Sequence, residues 1–110
     1  MLRVLLELSK DKLLRRFDAK GHAGADPGTN IACAAATVLL RTAGRECTAH
    51  GIVASGSAAK PGEMEMVLKD SDGVEEQWLR GVTDFLVRGM SDLQQEHPGE
   101  IALRVETMED

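Results

Sequence analysis

Residues 31–47 read IACAAATVLLRTAGREC, a run dominated by Ala and Leu with no Pro. That composition favours helix, and Asn30 just before it supplies the side-chain oxygen of an N-cap. Ile31, Ala35, Val38, Leu39 and Thr42 recur at helical spacing, which predicts that they form the core-facing stripe. The helix separates two groups of short, strand-like segments, and this division sets the fold class.

On its amino-terminal side, Leu2, Val4, Leu6 and Leu8 alternate with Arg3 and Glu7, as in a strand over residues 2–9 with one buried face. Lys10, Asp11 and Lys12 form a polar turn into a second strand over residues 13–20, whose largest side chain is Phe17. On the carboxyl side, residues 51–58 make a Gly- and Ser-containing strand, and Lys60-Pro61-Gly62 make a turn. Residues 63–69 follow as a strand in which Met64, Met66 and Leu68 alternate with Glu63, Glu65 and Lys69. Val74, Trp78, Val82, Phe85, Leu86, Met90 and Leu93 then recur at helical spacing over residues 74–96, so Trp78, Phe85 and Met90 are expected in the core. Beyond His97-Pro98-Gly99, Ile101, Leu103 and Val105 alternate in a last strand. The order β-β-α-β-β-α-β predicts an α+β fold, an antiparallel sheet with two helices packed on one face.

A chain of 110 residues implies one domain, residues 1–110, which buries about 65% of its surface on folding and needs no staples. The net charge of −5 argues against a general binder of nucleic-acid backbones, which needs a surplus of Lys and Arg. The longest apolar run, residues 31–40, is broken by Thr37 and falls short of the ~18 residues of a membrane span. The amino terminus carries Arg3 and Glu7 within its apolar stretch and has no small-residue cleavage site, so it reads as a strand and the expected location is cytoplasmic. Two cysteines in such a chain are expected as reduced thiols.

The informative segment is Gly21-His22-Ala23, a Gly-rich loop through Gly24 and Gly28, then Asn30-Ile31-Ala32-Cys33. With Asn30 as N-cap, Cys33 sits in the first helical turn, where unpaired N–H groups and partial positive charge favour a sulfur anion. Helical side chains lean toward the amino terminus, so the sulfur points back at the loop. Residues 23–29 are long enough to return His22 to it, as a Cys nucleophile with a His base requires. Gly21, Gly24 and Gly28 would let a substrate strand approach the backbone closely. From spacing alone, a small buried hydrophobe is the commoner role for a Cys.

The chain as a whole resembles the ribosomal-processing cysteine protease family, Prp, through Gly21-His22-Ala23 and Asn30-Ile31-Ala32-Cys33-Ala34-Ala35, which correspond to its G-H-A and D-[IV]-x-C-A-A signatures. The resemblance implies a dimeric, cytoplasmic cysteine endopeptidase that removes a short N-terminal extension from a large-subunit ribosomal protein during ribosome assembly. Cys33 would be the nucleophile and His22 the general base, with Gly21, Ala23, Gly24, Gly28 and Thr37 at the substrate. No cofactor or metal is implied, and neither nucleic acid nor membrane is a direct partner. Asn30 stands where the family carries Asp. It caps a helix as well and orients a His through its oxygen, but stabilises imidazolium less. That departure motivates a second reading, a catalytically weakened ribosome-associated binding or assembly module of the same fold. Thr37, one turn after Cys33, reads equally well as a hydroxyl bonded back to a helix carbonyl.

The remaining candidates read as structural. Cys47 lies fourteen residues after Cys33 on the same helix, roughly 21 Å away, which forbids a disulfide between them. His50 and His97 read as surface or capping residues without zinc-ligand spacing.

Overall fold

The computed structural model describes residues 1–21, 31–58, 62–70 and 73–108, apart from the Val74 side chain. Its elements follow the anticipated order: β1 (Leu2–Leu8), β2 (Leu14–Lys20), α1 (Ile31–Ala49), β3 (Val53–Ser57), β4 (Glu63–Leu68), α2 (Gly73–Glu96) and β5 (Ile101–Thr107). The fold is α+β, with the two helices against one five-stranded sheet of order β3-β4-β2-β1-β5.

The pairs β1–β2, β2–β4 and β3–β4 are antiparallel, with Leu6 opposite Phe17 and Phe17 opposite Met66. The sheet is mixed, because β5 runs parallel to β1, with Leu2 opposite Ile101 and Leu6 opposite Val105. The connection explains the direction. A hairpin turn reverses the chain, but α2 carries it back along the sheet between β4 and β5, so β5 takes the same sense as β4 and β1. The crossover through α1 relates β2 and β3 in the same way.

The alternation of β1 matches its burial: Leu2, Val4, Leu6 and Leu8 are buried, and Arg3 is exposed. On the uncovered face Arg16 donates to Glu7 (2.9 Å) and Glu65 (2.8 Å) and also pairs with Asp18, so charges on three neighbouring strands offset one another. At the irregular end of the β1–β2 pair, the Leu14 N–H donates to the buried Thr83 hydroxyl (2.9 Å), which itself donates to the Leu79 carbonyl (2.7 Å). One hydroxyl thus satisfies a backbone donor that the sheet leaves unpaired.

The face of α1 differs from the expected one. Ala32, Ala36, Leu40, Ala43, Gly44 and Cys47 are buried, whereas Ile31 and Val38 are exposed. The core side is the small-residue side, because the helix backbone lies close to the sheet. A Cβ on Gly44 would stand 2.8 Å from Met66 Cε. Phe85, expected in the core, is 69% exposed, while Leu79, Thr83, Leu86 and Met90 form the buried stripe of α2. Trp78 is half-buried and Met90 fully buried.

Candidate active site

Cys33 is the third residue of α1, in the first turn, as the N-cap reading requires. It is half-buried and free. The amino-terminal end of α1 lies beside the end of β2 and the start of β4, and a cavity of about 200 Å³ opens there. Cys33, Thr37 and Leu40 from the helix, Leu2 from β1, Ala19 and Gly21 from the end of β2, and Gly62, Glu63 and Met64 from the start of β4 line it. Strand pairing assembles the sheet side of this wall, with Ala19 opposite Met64 and Lys20 opposite Glu63. The Gly21 N–H donates to the Gly62 carbonyl (2.9 Å) and closes it.

Two of the expected substrate-side residues, Gly21 and Thr37, are therefore brought together with Cys33. The Thr37 hydroxyl donates to the Cys33 carbonyl (2.8 Å), the back-bonded arrangement weighed from sequence. His22, Ala23, Gly24, Gly28 and Asn30 lie outside the described residues. Glu63 is a further residue in the cavity wall that sequence reasoning missed, since only the β2–β4 register places it there.

The other thiol contrasts with Cys33. Cys47 is fully buried, and burial, assisted by the negative charge of Glu46, pushes its thiol up to about 11. That environment suits a neutral packing group and opposes nucleophilic chemistry. His50 sits in the turn after α1 with its ring stacked on Trp78, centroids 3.6 Å apart, and its Nδ1 2.9 Å from Glu75 Oε2. It joins the end of α1 to the start of α2, a contact that local spacing does not reveal. His97 pairs with Glu100 (2.9 Å). Among the described residues no three His, Cys, Asp or Glu side chains converge as a metal site would require, and no helix is long and apolar enough to cross a membrane.

The family model of the cysteine protease Prp matches residues 1–102. The chain belongs to that family. Among solved structures, SMU.848 from Streptococcus mutans superposes with a TM-score of 0.77 at 19% identity, covering 98% of this chain and 96% of that one. The ribosomal processing protease Prp from S. aureus, in complex with a covalently linked product peptide, matches with a TM-score of 0.76 at 16% identity, covering 96% of this chain and all of that one (100%). The S. aureus protein in complex with a substrate peptide gives 0.77 at 14% identity over the same shares, 96% and 100%. Among curated proteins none matches. Membership of the Prp family makes the chain a cysteine protease, and the shared fold puts Cys33 on the helix that follows the first hairpin.

Proposed function

We propose that residues 1–110 form one cysteine endopeptidase domain with Cys33 as nucleophile and His22 as general base, which removes a short N-terminal extension from a large-subunit ribosomal protein in the cytoplasm during ribosome assembly. The observation that carries this reading is the contrast between the two thiols: Cys33 opens into a cavity walled by Gly21, the residue before His22, while Cys47 is sealed in the core. Ribosomal processing is what the S. aureus relative is described as doing.

The chemistry follows from the residue types. The Cys33 thiolate attacks the scissile carbonyl carbon, forming the C–S bond while the π electrons move to oxygen. Unpaired N–H groups of the first turn of α1 receive that oxyanion. The His22 imidazolium protonates the departing amine as the C–N bond breaks, leaving a thioester. His22 then takes a proton from water, the resulting hydroxide displaces the sulfur, and the acid product leaves with the thiolate restored. Asn30 orients the imidazole through its side-chain oxygen. Gly21, Ala23, Gly24, Gly28 and Thr37 accept the substrate backbone.

Two copies act together in this proposal. Val38 on α1 and Phe85 on α2 are exposed beside Trp78 and Val82, around an apolar groove that a second copy would cover.

The test uses a peptide spanning the N-terminal extension and first mature residues of the ribosomal protein from the same organism. Wild type is expected to cut it once, Cys33→Ala to leave it intact while keeping the native circular dichroism, and His22→Ala to slow it by at least ~100-fold. Equal cleavage by Cys33→Ala would overturn the assignment. Tight binding of the peptide by wild type without cleavage would favour the binding-module reading suggested by Asn30.

A further inference from the structure

A second cavity, of about 380 Å³, continues from the first: Leu40 and Met64 line both. Its floor includes Phe17, Leu40, Met64 and Met66, and Gly44 leaves the helix side of the floor without a side chain. On the α1 side Arg41, Arg45 and Thr48 line it, and Gly56, Ser57 and Ala58 line the opposite side. Arg41 and Arg45 are exposed, and neither has an ion-pair or hydrogen-bond partner among the described residues. Glu65 also borders it, but its carboxylate is engaged on the uncovered face of the sheet by Arg16, through Nε (3.0 Å) and Nη2 (2.8 Å).

Like charges at i and i+4 disfavour a helix slightly. Here two arginines one helical turn apart border an apolar floor, and a guanidinium binds a carboxylate through charge-assisted, bidentate hydrogen bonds. Position also relates them to the chemistry. Along α1, Arg41 lies about 12 Å and Arg45 about 18 Å from Cys33, at ~1.5 Å per residue. An extended peptide at ~3.3 Å per residue reaches them about four to six residues from the bond at the thiol.

The geometry points to a specificity subsite: the groove beyond Leu40 takes the extended substrate, and Arg41 and Arg45 bind an Asp or Glu side chain four to six residues from the scissile bond. This inference rests on Cys33 being the nucleophile. Free carboxylate alone would not satisfy it, since the apolar floor selects a peptide that also covers the half-buried Met64 and Met66.

The test is cleavage of internally quenched peptides based on the cleaved sequence, in which each position from three to seven on either side of the scissile bond is in turn Glu, Gln or Lys. Wild type is expected to cleave the Glu peptide about ten-fold faster in kcat/KM than the Lys peptide at one or two positions four to six residues away, the ratio expected of one well-placed ion pair. Arg41→Glu/Arg45→Glu should reverse that ratio, and Arg41→Gln/Arg45→Gln should bring it to about one. Ratios, unlike absolute rates, are insensitive to partial unfolding of a variant. Cys33-dependent cleavage with no charge preference, or with a preference unchanged in both double variants, would overturn the subsite and leave the protease assignment standing. Absence of any Cys33-dependent cleavage would overturn both.

Discussion

A Cβ on Gly21 would stand 2.4 Å from the carbonyl oxygen of Met1. The obstacle is backbone, so it cannot swing aside as a side-chain tip would. The φ of Gly21 is also +105°, a region that L side chains rarely adopt. Gly21→Ala is therefore expected to lose about 2–4 kcal/mol of stability, from strain of order 1–3 kcal/mol and the displacement of Met1. Because Gly21 walls the Cys33 cavity and precedes His22, kcat/KM should fall more than the folded fraction does. Urea unfolding and peptide cleavage on one preparation measure both. Stability within 0.5 kcal/mol of wild type would contradict the geometry.

What the sequence made legible depended on local period. The alternation of Leu2, Val4, Leu6 and Leu8 marks a one-sided strand whatever its neighbours, so β1 emerges nearly to its ends. The alternation of Ile101, Leu103 and Val105 is the same whether β5 runs with or against β1, so the parallel pair was not readable there. In α1, choosing the bulky stripe placed Ile31 and Val38 inward, but close approach to the sheet selects Ala32, Ala36 and Gly44 instead. The site divides similarly. Cys33 in the first helical turn follows from an N-cap and an Ala-rich run, whereas Gly62, Glu63 and Met64 reach it only through the β2–β4 register, which no local pattern carries.

Cys47 makes stability fall at alkaline pH. Its thiol is pushed up to about 11 in the folded chain from an ordinary 9.0. Between these values the unfolded chain has lost the proton and the folded chain has kept it. The stabilisation is therefore whole below pH 9 and is lost as pH rises through about 11, a change of roughly 2–3 kcal/mol. Tyr is absent from the sequence, so no phenol titrates in the same range. Cys47→Ala should lose less stability than wild type between pH 9 and 11 in thermal melts. Parallel melting curves for the two proteins would refute this.

The Thr83 hydroxyl bridges the Leu14 N–H and the Leu79 carbonyl in the core. Thr83→Val keeps the shape and leaves the Leu14 donor unsatisfied, for which a loss of about 1–3 kcal/mol is expected. Thr83→Ser keeps the hydroxyl and should recover part of that loss. The comparison is made by denaturant midpoint at constant slope. If Val and Ser variants are equally stable, the hydroxyl bridge contributes nothing.

Phe85 tests the pairing of two copies. It is 69% exposed, beside Val38 at 48%, over the groove between α1 and α2. A side chain so exposed in the single chain contributes little to folding, so Phe85→Glu should change unfolding of the isolated chain by no more than about 0.5 kcal/mol. If a second copy covers this face, however, the substitution puts a carboxylate against apolar surface in both halves of the pair, because a two-fold interface presents each change twice. Sedimentation velocity is expected to give a dimer for wild type and a monomer for Phe85→Glu at the same micromolar concentration. A wild-type monomer would remove the dimer from the proposal. A Phe85→Glu dimer would move the interface to another face.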